Sequence, residues 1–185
     1  MVTVRVVDDG PDVPRERDRP RAALWVRTPA VLLDRHLRVL CATPLARALS
    51  PHFLEGADLA RSTFLEARHL QDLPCWREAA EQVTALLSAS LDRHEGDREF
   101  RSIVGELSVS SPAFAAAWAA ETPVRGSGSV RFLDTAVGTV PLDYRLVRPP
   151  QDGEHTLLLF EPADDAARRA LERLAVTVRE PPRSA

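Results

Sequence analysis

The chain contains no lysine: all 24 of its basic residues are arginine. The compositional bias of a GC-rich bacterial genome accounts for that without any appeal to function. The formal net charge is -3 and the pI is about 6.0. No predicted helix carries a run of arginines, so the basic face that phosphate contacts demand of a DNA-binding module is missing. Aromatic residues are scarce, at 5%, and alanine and leucine carry most of the apolar content. Two cysteines, Cys41 and Cys75, are too few to staple a chain of 185 residues. Cys41 falls in a predicted strand and Cys75 at a predicted helix start, so both are expected to be buried thiols in a reducing compartment. No apolar run approaches the roughly 20 residues of a membrane span. The opening MVTVRVVDDG has no signal-peptide core, so a soluble cytoplasmic protein is expected.

Chemical signatures are missing as well. The five histidines (His36, His52, His69, His94 and His155) are scattered, and none stands at metal-ligand spacing from another His, Cys or carboxylate. Gly126-x-Gly128 lacks the further glycine and the helix of a phosphate loop. There is no G-x-S-x-G elbow, and Asp164-Asp165 reads as a helix start. No catalytic group, metal or cofactor is expected.

What is present is a patterned core. With 44% hydrophobic residues the chain suits one domain, expected over residues 22–178. Before it, residues 1–21 end in PDVPRERDRPR and read as a flexible leader. Within that leader Thr3 to Val7 has the composition of an edge strand. After it, REPPRSA (179–185) reads as a disordered tail. Val31–Leu33 and Leu37–Leu40 read as two strands around the polar turn Asp34-Arg35-His36. Thr43-Pro44 supplies an N-cap followed by proline in the first turn of a short helix to Leu49.

Asp58 opens a second helix with Leu59, Phe64 and Leu65 inward. A long helix from Pro74 repeats Trp76, Ala79, Ala80, Val83, Leu87 and Leu91 at helical period. Asp97 and Ser111 cap two more, the first placing Phe100, Ile103, Val104 and Leu107 inward and the second Phe114, Ala117 and Trp118. From Gly126 the period changes to two. Val140, Leu142, Tyr144 and Leu146 face one way, with Pro141 marking an edge or bulge. Leu157–Phe160 is continuously apolar and reads as a central strand. A final helix from Asp164 carries Ala167, Ala170, Leu171, Leu174 and Val178 on one face. Two strands, several helices, three strands and a helix make an α+β fold with an antiparallel sheet and helices on one face.

The ordered blocks PAVLLD, PLARAL, DLARSTFL, a Trp-led helix, VGELSVSSPAFAAAW, RF, VG and LDY resemble the ligand-binding domain of MmyB-like transcription regulators. The likeness runs from about Ala22 to Ala175. It implies a PAS-like sheet with helices packed on one face and a ligand cavity between. It also implies a hydrophobic, fatty-acyl-like ligand, and DNA contact only through a helix-turn-helix domain that this chain does not carry. Several positions depart from the family pattern. Glu121-Thr122-Pro123 stands where a His-Asp pair is expected, Val130 replaces a Lys, Thr43 an Asn, and Cys75 an acidic residue. These changes remove polar groups from the expected cavity mouth.

The resemblance implies Arg61, Phe64, Trp76, Trp118, Phe132 and Tyr144 as ligand-binding residues. Each also has a plainer reading. Tryptophans on apolar stripes usually serve as core. Arg61 suits bidentate pairing with a carboxylate, or simple exposure on a helix. Alternation sends Arg131 and Phe132 to opposite faces. Tyr144 offers either a hydroxyl to the cavity or a structural hydrogen bond. The expected function is ligand sensing within a bacterial transcriptional regulator, with no membrane partner. The alternative is a stand-alone interaction or homodimerisation module that lost its DNA-binding half.

Overall fold

The computed structural model describes residues 28–94, 96–148 and 154–179. The leader 1–21, its Thr3–Val7 strand and residues 180–185 of the tail lie outside the described residues.

The fold is α+β, built on an antiparallel sheet of five strands in the order β2-β1-β5-β4-β3. Strands β1 (Ala30–Leu33) and β2 (Val39–Ala42) form a hairpin. Its turn is set by Asp34, whose Oδ1 accepts the backbone N–H groups of His36 and Arg38, each at 2.8 Å. Leu37, expected as the first residue of the second strand, instead takes a left-handed φ of 65° within that turn and is buried. The strand therefore begins at Val39. Helix α1 (Pro44–Leu49) starts where Thr43 and Pro44 place it. The Thr43 hydroxyl also accepts from Ala30 N–H at 3.0 Å and donates to the Thr28 carbonyl at 3.1 Å, tying the helix start to the sheet.

A short 3-10 turn (Pro51–Phe53) leads to α2 (Leu59–Arg61), which widens into a π-helical turn (Ser62–Glu66). Helix α3 (Pro74–Leu91) follows, then α4 (Arg98–Ser110) and α5 (Pro112–Ala119), the last two capped by Asp97 and Ser111. Strands β3 (Ser127–Thr135), β4 (Gly138–Val147) and β5 (Thr156–Pro162) complete the sheet, and α6 (Asp165–Arg179) closes the chain. Asp164 caps α6 by accepting Ala167 N–H at 2.7 Å.

Leu157–Phe160 does lie in the central strand, β5. Pro141 lies in β4, which has neighbours on both sides, so it does not mark an edge strand. Its own pairing with Arg131 is in register, but the β3–β4 ladder slips at the start of β4, between Phe132 and Thr135, so the irregularity expected there is present one pair away. Its carbonyl accepts from Ala163 N–H at 3.4 Å, just past the end of β5, so its missing N–H falls where that neighbour has already stopped.

Alternation along the strands puts Val31, Leu33, Val140, Leu142 and Phe160 on one face, in a single core with the helices. Helices α1 and α3 touch β3, and α6 packs against α1, β4 and β5. Phe64, Phe100, Phe114, Leu87 and Leu107 are fully enclosed. Each such side chain contributes about 1.5–3 kcal/mol of burial free energy. Cys41 is exposed rather than buried, because β2 is an edge strand. Among the described residues no helix is long and apolar enough to cross a membrane.

Candidate functional site

The helix layer and the sheet do not close completely on each other. Between them lies a cavity of about 690 Å³. Its floor is the inner face of the sheet: Val130 and Phe132 from β3, Tyr144 and Leu146 from β4, Leu158 and Phe160 from β5. Phe53 reaches over from the 3-10 turn, with its ring 5.8 Å from Phe132 and 5.7 Å from Phe160. One wall is a stripe of α3 at helical spacing, Cys75, Trp76, Ala79, Gln82, Val83 and Leu86. The other is the cavity-facing side of α2 and the turns after it: Leu59, Ser62, Thr63, Ala67 and Leu70.

The walls are tied together by side chains. Trp76 is almost fully buried, and its indole N–H donates to the Thr63 carbonyl at 3.1 Å. Thr63 Oγ1 donates back to the Leu59 carbonyl at 2.7 Å. Gln82 clips the segment entering β3: its Nε2 donates to the Arg125 carbonyl at 2.8 Å, and its Oε1 accepts Arg125 N–H at 3.2 Å. The charged lining groups Glu78, Arg125, Arg131 and Asp134 are all exposed. They mark a mouth beside edge strand β3 and leave the interior apolar.

Two hydroxyls in the lining stand out. Ser62 is only 3% exposed, and Tyr144 is half-buried. Among the described residues neither hydroxyl has a hydrogen-bond partner. Burial raises the Tyr144 pKa above its ordinary value, opposed by the Arg125 guanidinium and reinforced by Glu78. The phenol therefore stays protonated and able to donate. Its ring lies across Gly128, its cross-strand partner, so closely that a Cβ there would sit 2.8 Å from the Tyr144 oxygen.

The structure thus gathers Trp76, Phe132 and Tyr144 around the cavity and leaves Arg61, Phe64 and Trp118 outside its lining. Arg61 is engaged elsewhere. It donates to Asp58 at 2.8 Å and, through Nε and a terminal nitrogen, to Glu106 at 3.1 and 2.6 Å. Phe64 stands behind the wall, edge-on to Trp76 and Phe114, and Trp118 stacks on Phe114 at 5.5 Å. Of the positions that depart from the family pattern, Cys75 and Val130 line the cavity and Thr43 is spent on capping. Sequence inspection passed over Ser62, although its place three residues after Leu59 put it on the same helix face. It also passed over Phe53 and Phe160, which only the tertiary fold brings together.

A single antiparallel sheet with helices on one face holds an apolar hollow between the two layers, of a size that suits a small molecule. A family model, that of the MmyB-like transcription regulator ligand binding domain, matches residues 23–174. The chain belongs to that family, which is a regulator domain family and not an enzyme family. No curated protein sequence matches the chain.

Proposed function

We propose that this domain senses an apolar, fatty-acyl-like small molecule on behalf of a transcription regulator. One observation carries the reading: a cavity of about 690 Å³ with apolar walls and with its charges confined to the mouth. That volume falls within the range of about 300–1,000 Å³ common to small-molecule sites. The strand order β2-β1-β5-β4-β3, with helices over one face, supports describing the fold as PAS-like. In this reading occupancy favours one packing of α2 and α3 over another, and a DNA-binding partner domain reads the difference. Trp76, Phe132 and Tyr144 contact the ligand. Arg61, Phe64 and Trp118 support the wall from behind.

Solvent extraction of the purified protein followed by mass spectrometry tests this. Recovery of a stoichiometric apolar molecule is expected. If nothing is recovered and no lipid raises the melting temperature, the interaction-module alternative gains instead.

A further inference from the structure

Most of the hydroxyl, amide and indole groups on the cavity walls are already paired. The Trp76 indole bonds to Thr63, the Thr63 hydroxyl to Leu59, and the Gln82 amide to the Arg125 backbone. His52 Nδ1 lies 3.2 Å from Glu66, and the Ser50 hydroxyl accepts from His52 N–H at 3.2 Å. Among those hydroxyl, amide and indole groups, Ser62 and Tyr144 are the exceptions, one on the helical wall and one on the sheet wall. The other lining groups without a partner among the described residues are the half-buried Cys75 thiol and the exposed His69, Glu78, Arg131 and Asp134. Both hydroxyls open onto an apolar hollow without a protein partner, where alanine at position 62 or phenylalanine at 144 would serve as lining at nearly equal volume. The Ser62 oxygen also differs from that of Ser90, which is unpaired but fully enclosed in the core.

The charges point the same way. No charged lining residue is buried, and the carboxylate-matching guanidinium of Arg61 is committed to Glu106 and Asp58. A carboxylate on a ligand would remain at the mouth near Arg125 and Arg131. What the interior offers beyond apolar surface is two neutral hydroxyls.

We infer that the cavity selects an apolar molecule carrying its own hydrogen-bonding oxygen within the chain, met by the Ser62 hydroxyl on one wall or the Tyr144 hydroxyl on the other. An oxygenated acyl chain is thereby preferred to a plain one. The inference rests on the apolar-ligand reading and adds the chemical class of the ligand to it. A ligand oxygen that displaces no better partner gains a hydrogen bond and relieves the unpaired hydroxyl, an advantage of about three- to tenfold in affinity.

The test is calorimetric titration of the intact chain with stearate and with the positional isomers of hydroxystearate. It is run on the wild type, Ser62→Ala, Tyr144→Phe and the double variant. At least one isomer is expected to bind the wild type about three- to tenfold more tightly than stearate. The double variant should lose that preference, read as the ratio of hydroxystearate to stearate affinity within the same protein, whatever its absolute affinity for stearate. Ser62→Ala without ligand should melt no lower than wild type, because no hydrogen bond is removed. A preference that persists in the double variant, or isomers that never outbind stearate, overturns the inference and leaves the apolar-ligand reading standing. A drop in melting temperature for unliganded Ser62→Ala removes Ser62 from it. Failure of stearate and every isomer to bind the wild type overturns both.

Discussion

The indole N–H of Trp76 in α3 donates to the backbone carbonyl of Thr63, thirteen residues earlier, across 3.1 Å. Thr63 lies in the π-helical turn, where the wider winding brings regular helix bonding to an end. One side chain therefore fixes the irregular wall of the cavity to its longest helix. Trp76→Phe keeps an aromatic ring but removes the donor. It should destabilise the protein by about 1–3 kcal/mol, read as a lower urea midpoint at unchanged m-value. It should also weaken binding of an apolar probe, because the wall from Leu59 to Leu70 loses its tether.

Gly128 and Tyr144 form a second dependence. A methyl group at position 128 would come within 2.9 Å of two carbons of the Tyr144 ring as well as its oxygen. Gly128→Ala should push the ring aside and cost about 1–3 kcal/mol. Most of that cost should vanish when Tyr144→Ala is present as well. A double-mutant cycle by thermal denaturation checks this, and additive costs would show that the two residues act independently.

Gln82 holds the entry to β3 through two bonds to the Arg125 backbone. Gln82→Ala should leave global stability within about 0.5–1.5 kcal/mol of wild type. Hydrogen exchange at the Arg125 amide should nevertheless accelerate, since that N–H loses its acceptor.

Two carboxylates make stability depend on acidity. Hydrogen bonding from Arg61 holds Glu106 below its ordinary value of 4.5; desolvation opposes this and the Arg61 charge adds to it. Desolvation tends to raise Asp97, but the Glu99 amide, the His36 hydrogen bond and the charges of His36 and Arg35 together bring it below 3.8. In both cases the unfolded chain binds protons more readily than the folded one, so stability rises with pH through this range. It should be complete above about pH 5 and fall as pH drops below the ordinary carboxylate values and through the depressed ones. Urea midpoints measured from neutral pH downward check this, and Glu106→Gln should flatten part of the slope.

Local signals in the sequence foretold local structure well. Thr43-Pro44 and Ser111-Pro112 mark their helix starts because a cap and a proline act within one turn. The stripe from Trp76 to Leu91 is legible because helical period is a property of neighbouring residues. The site was only partly legible. Trp76 and Trp118 occupy similar stripes, yet only the packing of α3 against the sheet brings Trp76 to the cavity. Arg61 could not be placed from spacing, because its partner Glu106 lies 45 residues away. Leu37 looks like a strand residue in composition, but Asp34 draws the backbone on either side of it into a turn.

The hollow itself is open to direct trial. Ala79 lies midway along the α3 wall, between Trp76 and Val83, so Ala79→Trp would fill the space beside it with an indole. Thermal denaturation of wild type and Ala79→Trp is followed as stearate is added. At a hundredfold excess over Kd, ligand binding stabilises a protein by about 2.7 kcal/mol. The wild type should therefore gain several degrees while the filled variant gains little or nothing. Equal gains in the two proteins would mean that the fatty acid binds somewhere other than between the helices and the sheet.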